Sequence, residues 1–150
     1  MDKKIVGYTT GVFDLFHIGH LNILKRSKEK CDYLIVGVST DELVQAYKNK
    51  KPVISFEERI EIVRAIRYVD KVVAQENRDK KAAWEKYKFD RMFVGDDWKG
   101  SQLFNELEKE FAETGVEIVY FPYTKGTSST FLKKALEEIQ RQYCYHLLGD

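Results

Sequence analysis

Five short runs rich in β-branched residues recur along the chain, and each is separated from the next by a segment that can form a helix. The runs are KIVGYTT (4–10), DYLIVGVST (32–40), KVVAQ (71–75), RMFVGDD (91–97) and VEIVYFP (116–122). Strands that alternate with helices pair in parallel, because each helix carries the chain back across a face of the sheet. A chain of 150 residues corresponds to about one domain. The alternation therefore predicts a single α/β domain with a doubly wound, parallel, five-stranded sheet.

The segments between these runs carry helical signals of different strength. Apolar residues recur at helical spacing over 18–30, 77–87, 101–115 and 128–143. The segment 55–69 begins with Ser55 and has Glu58 three residues later, which is the pattern of a capping box. By contrast, 46–55 (AYKNKKPVIS) places lysines around a proline without apolar periodicity, so we predict a mobile surface loop there.

Composition argues against several classes of function. No apolar run approaches the roughly 18 residues that a membrane-spanning helix needs, and the N-terminus lacks the pattern of a secretory signal. A formal net charge of +1 argues against a large basic surface for nucleic acid. The spacing of Cys31 and Cys144 indicates neither a zinc site nor a disulfide framework, so we predict unpaired, reduced thiols. We expect a cytoplasmic protein with small-molecule partners and without nucleic-acid or membrane partners.

Polar residues cluster where the predicted strands end. In an open parallel sheet, ligands bind beyond the carboxyl ends of the strands. The residues at these ends are Thr9, Thr10, Asp14, His17 and His20 after the first run, Ser39, Thr40 and Asp41 after the second, Gly95, Asp96, Asp97 and Trp98 after the fourth, and TKGTSST (124–130) after the fifth. Backbone N–H groups at a helix start, with serine and threonine hydroxyls, favour phosphate. Taken alone, TKGTSST is more typical of a simple helix N-cap.

The segment GVFDLFHIGH (11–20) places His17 and His20 three residues apart at the start of a predicted helix. A zinc site would need further ligands, and the sequence has neither a HExxH glutamate nor a suitably spaced Cys or His. A lone histidine beside an apolar strand is usually structural, but two at this spacing face the same anion-favouring helix end. Gly19, which lacks a Cβ, would let the backbone approach a ligand closely. We interpret the pair as phosphate-binding.

These motifs together resemble a known family. GVFDLFHIGH is similar to the nucleotidyltransferase signature, in which a strand is followed by HxGH. RYVDKVV (67–73), GDDWKG (95–100) and TKGTSST resemble further motifs of the small bacterial cytidylyltransferases. The chain is most similar to the glycerol-3-phosphate cytidylyltransferase family, from about residue 4 to residue 139. The resemblance implies a Rossmann-like nucleotidyltransferase domain over 1–140 and a C-terminal tail over 141–150.

The resemblance implies transfer of CMP from CTP to a small phosphorylated alcohol, with glycerol 3-phosphate as the acceptor and CDP-glycerol and pyrophosphate as products. It further implies Mg²⁺ bound with CTP, a homodimer, and a place in the supply of precursors for teichoic acid or a capsular polymer. The implied catalytic residues are His17, His20, Lys48 and Lys50. The implied nucleotide-binding residues are Thr10, Val12, Phe13, Asp14, Gly19, Asp96, Asp97, Trp98, Tyr123, Thr124, Ser128, Ser129 and Thr130. The implied acceptor-binding residues are Asp41, Arg67, Asn77 and Arg78.

The resemblance also implies roles for some of these residues. The two histidines would donate hydrogen bonds to the triphosphate and the transition state, and the two lysines would close over the phosphates from a mobile loop. The serine and threonine side chains of the last motif would hold the β- and γ-phosphates. For Asp14 two roles stay open: a ligand of the magnesium ion, or a brace for its own loop.

Two positions depart from the family pattern. Tyr123 stands where the family has an arginine, with Lys125 two residues on, and a phenol cannot replace a bidentate guanidinium. Arg78 follows Asn77 where the family has a tryptophan, which favours an anionic acceptor over phosphocholine. Three alternatives stay open: another acceptor, such as glycerol 2-phosphate, another polyol phosphate or phosphoethanolamine; adenylyl transfer from ATP; and a nucleotide-binding module without turnover.

Overall fold

The computed structural model describes residues 3–148, and within them the chain forms five strands and six α-helices. The strands are β1 (Val6–Gly11), β2 (Tyr33–Ser39), β3 (Lys71–Gln75), β4 (Arg91–Gly95) and β5 (Glu117–Phe121). The helices are α1 (Ile18–Glu29), α2 (Asp41–Lys48), α3 (Phe56–Arg64), α4 (Lys80–Tyr87), α5 (Gln102–Thr114) and α6 (Ser129–Leu148). A short 3-10 helix, Asp96–Trp98, follows β4.

The five strands form one parallel sheet in the order β3-β2-β1-β4-β5. This arrangement confirms the predicted doubly wound α/β fold. The chain winds outward from β1 in opposite directions, so the strand order reverses between β1 and β4. Ligands of such folds bind beyond the carboxyl ends of the strands at this reversal. Gly11 and Gly95, the last residues of β1 and β4, therefore mark where the site is expected.

Helices cover both faces of the sheet. Leu34 of β2 belongs to an apolar cluster with Leu24 of α1 and Val63 of α3. The next residue, Ile35, belongs to a second cluster with Phe111 of α5. Successive strand residues point to opposite faces, so these two clusters are the two layers of the core. Each fully buried side chain of this size contributes roughly 1.5–3 kcal/mol, and the layers together hold the strand ends in place.

The structure corrects the loop prediction for residues 46–55. The helix α2 continues to Lys48, so the first residues of this segment are helical. The buried side chain that anchors α2 is Val44, which lies before the segment, and the segment itself therefore shows no apolar periodicity. Asn49 ends the helix in the left-handed conformation, with φ 55°. Lys48 is thus held on a helix, whereas Lys50 lies in the loop that follows.

The helix predicted over 55–69 is shorter than expected, because α3 ends at Arg64. Ser55 makes no side-chain capping bond to the backbone, and its Oγ instead donates to Glu58 Oε2 at 3.2 Å. The predicted capping box is therefore wrong. The N–H of Phe56 donates to Asp41 Oδ2 at 3.2 Å, so a carboxylate from α2 takes the place of the serine.

The last helix extends into the segment that the sequence set apart as a tail. The sequence predicts a helix over 128–143 and a tail over 141–150, and α6 runs through Leu148. Residues 149 and 150 of that tail lie outside the described residues. Of the helices formed by residues 3–148, not one combines the length and apolar character needed to cross a membrane.

Candidate active site

His17 and His20 form the start of α1 through reciprocal hydrogen bonds. Nδ1 of His17 accepts from the N–H of Gly19 at 3.0 Å, and Nδ1 of His20 accepts from the N–H of His17 at 3.2 Å. The two imidazoles thus make a capping box of the kind usually built from serine and glutamate. A neutral imidazole that accepts at Nδ1 carries its proton at Nε2. The backbone of α1 therefore leaves each histidine with an Nε2–H to donate.

Burial lowers the pKa of both histidines. For His20, burial is the larger cause and the neighbouring His17 adds to it, which brings the pKa to about 4. The ring centroids of the pair lie 3.8 Å apart, so two positive charges there would repel each other. At neutral pH the pair is consequently two neutral hydrogen-bond donors.

Gly19 makes room for the His17 ring. A Cβ at this position would lie 2.8 Å from Cε1 and 3.0 Å from Nδ1 of His17. From the sequence, Gly19 is expected to let a ligand approach the backbone closely. In the structure, the group nearest to a Cβ at this position is the His17 imidazole. Any larger residue would push the His17 ring away from the N–H of residue 19. That hydrogen bond would then no longer fix the Nε2–H tautomer of His17.

Asp14 is a buried brace, with 1% of its surface exposed. Its Oδ2 accepts from the N–H of Val53 at 2.8 Å and its Oδ1 from the N–H of Ile54 at 2.9 Å. Lys133 Nζ of α6 lies 3.0 Å from Oδ2. Burial alone would raise the pKa of Asp14, but these hydrogen bonds and the lysine hold it below its ordinary value. One carboxylate therefore ties the loop after β1 to the loop before α3 and to α6.

The loop that carries Asp14 has an unusual backbone. Phe13 and Leu15, on either side of it, have φ of 55° and 52°, in the left-handed region. Such conformations cost of order 1–3 kcal/mol for residues other than glycine and persist where the surroundings enforce them. Phe13 is 5% exposed, and its ring meets His20 edge-on at 5.4 Å. The loop thus fixes the position of the second histidine.

The residues around the histidines do not fit a resident magnesium site. The oxygens of Asp14 are engaged by two backbone N–H groups and an ammonium, which leaves them unsuited to bind the ion directly. Of the two roles open for Asp14, the geometry supports the brace. Within the described residues there is also no group of three or more His, Cys, Asp or Glu side chains placed to hold a metal ion.

The start of α6 lies beside the histidine pair. Ser129 Oγ donates to the carbonyl of Asp14 at 2.7 Å and lies 3.4 Å from Nε2 of His17. Because the hydroxyl proton is given to that carbonyl, Oγ is free to accept from the Nε2–H of His17. Ser128 Oγ accepts from the N–H of Phe131 at 3.1 Å and caps the helix. The N–H groups of a helix start, which favour anions, are thereby brought next to the imidazoles.

A cleft of about 790 Å³ opens beyond the strand ends, and cations line one side of it. They are Lys48, Arg78, Lys80, Lys81 and Lys133. Lys80 Nζ donates to Thr10 Oγ1 at 3.0 Å. Burial lowers the pKa of Lys80 to about 8, and the positive charge of Arg78 makes a smaller contribution to this shift. The Arg78 guanidinium lies 4.6 Å from the centre of the Tyr47 ring at the rim. This side of the cleft is suited to an anion.

Sequence reasoning missed Lys80 and Lys133. Lys80 and Lys81 are adjacent and both line the cleft, and only the structure shows that Lys81 pairs with Glu110 at 2.7 Å whereas Lys80 bonds to Thr10. A signal for Lys133 does exist, because it follows Ser129 by four residues and so shares its face of α6.

Aromatic and acidic side chains form the opposite side of the cleft. Trp98 and Tyr123 both line it, with 37% and 56% of their surfaces exposed. The Tyr123 hydroxyl donates to Asp97 Oδ1 at 2.9 Å. A Cβ on Gly95 would lie 2.6 Å from that hydroxyl, so the phenol rests directly on the end of β4.

The structure brings about half of the predicted site residues to the lining of this cleft. Those that line it are Thr10, Val12, Phe13, Asp14, His20, Lys48, Arg78, Trp98, Tyr123 and Ser129. The carbonyl of Val12 is already used, since it accepts from the buried Arg59 at 2.6 Å. Thr124 Oγ1 accepts from Asn22 of α1 at 2.9 Å. The following predicted residues, all described, are not among those that line the cleft: His17, Gly19, Asp41, Asp96, Asp97, Thr124, Ser128 and Thr130.

Three predicted residues have contacts of another kind. Asp41 pairs with Arg59 at 2.7 Å, and the Arg59 side chain is fully buried. Asn77 Oδ1 accepts from the N–H of Asp79 in a local turn. Arg67 bonds the hydroxyl of its neighbour Tyr68 on the surface. Arg67, Asn77 and Lys50, all described, are not among the residues that line the cleft.

Comparisons with known proteins agree with this geometry. A family model described as cytidylyltransferase-like matches residues 8–142. Glycerol-3-phosphate cytidylyltransferase of Bacillus spizizenii is 39% identical over 138 residues, which cover 91% of this chain and 99% of that protein. FAD synthase of Pyrococcus abyssi is 36% identical over 148 residues, which cover 95% of this chain and 97% of that protein.

A solved structure has a fold similar to that of this chain. The lipopolysaccharide core biosynthesis protein of Thermoplasma volcanium matches with a TM-score of 0.68 at 26% sequence identity. The match covers 83% of this chain and all of that one.

Proposed function

The chain belongs to the cytidylyltransferase-like family, and on that premise we propose that it transfers CMP from CTP to glycerol 3-phosphate. The relatives named glycerol-3-phosphate cytidylyltransferase, at 37–39% identity, support this choice of donor and acceptor. The observation that carries the proposal is the reciprocal imidazole capping of α1, which fixes two neutral Nε2–H donors at the end of β1.

The reaction needs positioning and charge stabilisation more than proton transfer. A phosphate monoester has a second pKa near 6, so at neutral pH its oxygen is largely ionised. That oxygen attacks the α-phosphorus of CTP and forms a new P–O bond. The bond from this phosphorus to the oxygen that bridges to the β-phosphate breaks, and pyrophosphate leaves with the electron pair. The protein lowers the barrier by donating to the oxygens on which negative charge grows.

The histidine pair and the start of α6 are suited to hold the triphosphate. His17 and His20 donate from Nε2 without a charge of their own to be desolvated. Ser129 and the N–H groups of α6 lie next to them, and Lys48 and Lys133 add positive charge. Magnesium would be supplied with CTP and would reduce the negative charge of the triphosphate, because both Asp14 oxygens are already engaged by backbone N–H groups and Lys133.

Lys80 and Arg78 are suited to hold the phosphate of the acceptor. The Lys80 ammonium has Thr10 as its hydrogen-bond partner, and Arg78 adds a second positive charge nearby. A partly buried cation of this kind gains a charge-assisted hydrogen bond when a phosphate oxygen arrives. Asp41, by contrast, acts in this proposal through Arg59, which it holds against the carbonyls of Val12 and Ser39.

Adenylyl transfer from ATP is the second candidate. FAD synthases cover 95% of this chain at 32–36% identity, so the fold and the site are compatible with that activity in relatives. Both candidates share the histidine chemistry and differ in the base and the acceptor.

Pyrophosphate release separates the candidates. The purified protein is incubated with CTP or ATP, each with glycerol 3-phosphate, glycerol 2-phosphate, phosphoethanolamine or FMN. We expect steady release with CTP and glycerol 3-phosphate. Release with ATP and FMN alone would replace the proposal by the second candidate, and no release with any pair would favour a binding module.

A further inference from the structure

Tyr123 is held at both ends and yet leaves its ring open to the cleft. Its backbone neighbours are tied to α1, because Arg26 donates to the carbonyl of Pro122 at 3.3 Å and Asn22 to Thr124 Oγ1 at 2.9 Å. Its hydroxyl is tied to Asp97 across the ends of β4 and β5. More than half of its surface is nevertheless exposed, at 56%. A ring fixed in this way presents a preformed flat surface.

The hydrogen bonding of Tyr123 makes it unsuited to a phosphate. A phenol has one O–H, and this one is given to Asp97 at 2.9 Å. Burial, that hydrogen bond, and the charges of Asp97 and Asp96 raise the pKa of Tyr123 to about 12. The hydroxyl therefore stays neutral, has no second proton to donate, and lies beside two carboxylates that repel polyphosphate.

The same surroundings suit a neutral aromatic group. Trp98 lines the same side of the cleft and is 37% exposed, and Leu103 of α5 is 59% exposed. The cations of the cleft are on other elements: Lys48 on α2, Arg78, Lys80 and Lys81 around the start of α4, and Lys133 on α6. The charge of Lys81 is paired with Glu110 of α5 at 2.7 Å. The cleft is thus divided into a cationic side for phosphates and an aromatic side that phosphate avoids.

We propose that Tyr123 binds the nucleobase of the donor nucleotide by stacking and makes no contact with the triphosphate. This inference rests on the proposed nucleotidyl transfer, because it takes the bound nucleotide as given. It also accounts for a tyrosine at a position where the family has an arginine. Residue 123 would bind the base, whereas His17, His20 and α6 would bind the phosphates. Gly95 is part of the arrangement, since any Cβ there would displace the phenol.

Calorimetric binding of two separate probes tests the proposal. CMP carries the base with one phosphate, and inorganic tripolyphosphate carries the phosphates without a base. Base stacking on an aromatic side chain contributes enough that Tyr123→Leu is expected to weaken CMP binding by about five- to a hundredfold. Tripolyphosphate binding is expected to stay within about threefold of the unaltered protein. Tyr123→Phe keeps the ring and is expected to stay within about threefold for both probes.

Tyr143→Leu is the matched control, because Tyr143 lies on α6 with 65% of its surface exposed and away from the cleft lining. Unchanged CMP binding in Tyr123→Leu, or an equal loss with tripolyphosphate, would overturn the proposal. So would a loss confined to the KM of the acceptor, which would assign the ring to that substrate. If Tyr123→Leu fails to fold, a loss of CMP binding well above threefold in Tyr123→Phe overturns it instead.

Failure of this inference and failure of the proposed function give different results. If the unaltered protein turns over ATP and not CTP, the proposed function fails, and AMP in place of CMP tests the stacking in the same way. If CTP is turned over and Tyr123→Leu binds CMP normally, the proposed function stands and the stacking is wrong.

Discussion

At the scale of single residues, the tautomer of the histidines is set by the main chain. Each Nδ1 is occupied by a backbone N–H, so the reactive end of each ring is determined where the helix begins. The same contacts join stability to function, since the atoms that cap α1 also aim the donors. A substitution can nevertheless separate the two effects, because α1 keeps its buried Leu24 and the rest of its packing.

His17→Ala and His20→Ala are each expected to lower kcat by roughly two to four orders of magnitude, which is typical for loss of a preorganised donor. The measurement is steady-state pyrophosphate release at saturating CTP, with thermal unfolding as the control for folding. A variant of His20 that lost stability but kept kcat within about threefold would show a structural histidine.

Lys80 gives a pH dependence with a definite sign. Its pKa of about 8 means that the ammonium is present below this pH and is lost above it. We expect kcat/KM for the phosphorylated acceptor to fall as the pH rises through about 8, because the anion loses its partner. The other charged groups near Lys80 are Arg78, Asp79, which caps α4, and the pair formed by Lys81 and Glu110. The acceptor phosphate is already ionised at this pH.

Lys80→Arg keeps the positive charge at high pH, so its profile is expected to be flat from pH 7 to about 9.5. Lys80→Met is expected to raise the acceptor KM by about tenfold or more at pH 7 with little change in the KM for CTP. Lys86→Met, on the exposed face of the same helix, is the matched control. An unchanged acceptor KM in Lys80→Met would show that the cation serves another purpose.

At the scale of elements, the strands could be predicted from the sequence and the details of the helices could not. All five strands lie where their β-branched runs predict, because a run of buried side chains on both faces leaves little choice of structure. The roles of Lys80 and Lys81 could not be distinguished from the sequence, because these two adjacent lysines differ only in the direction in which each side chain points from α4. The capping of α3 by Asp41 depends on a contact between residues 15 apart, which no local pattern contains.

The same limit applies to Lys48 and Lys50, which the sequence places in one loop. The side chain of Lys48 lines the cleft from the end of α2, and burial, together with the nearby Lys133, lowers its pKa. Lys48→Ala is therefore expected to lower turnover more than Lys50→Ala, and both variants should stay within about 0.5 kcal/mol of the original stability. Equal and unchanged kinetics in both would remove the lysines from the mechanism.

Arg59 of α3 joins several elements at the site. Its side chain is fully buried and donates to the carbonyls of Val12, Ser39 and Ile54 and to Asp41. Arg59→Met would leave these acceptors without their donor, and we expect a loss of about 3–5 kcal/mol in the free energy of unfolding. Chemical denaturation measures it, and Arg64→Met on the exposed surface of α3 is the control. A loss below about 1 kcal/mol would show that water replaces the guanidinium.

At the scale of the whole molecule, the reversal of strand order gathers residues from distant parts of the chain. The cleft between the two halves of the sheet receives polar and cationic side chains from α1, α2, α4 and α6 and aromatic side chains that follow β4 and β5. In the proposed reaction both reacting phosphates would lie on the cationic side, and the nucleobase would lie on the aromatic side. The homodimer that the family resemblance implies stays a prediction, and light scattering of the purified protein would measure it.

The contacts of Ser129 and Lys133 with the loop that holds Asp14 have a consequence for biosynthesis. They join residues more than a hundred positions apart, and α6 follows all five strands in the order of synthesis. A nascent chain halted before α6 would already contain all five strands, but Asp14 would lack its ammonium and His17 its hydroxyl. Such an intermediate would be able to assemble its sheet during translation while remaining inactive. The proposed phosphate-binding chemistry would thus be complete only after α6 has been synthesised.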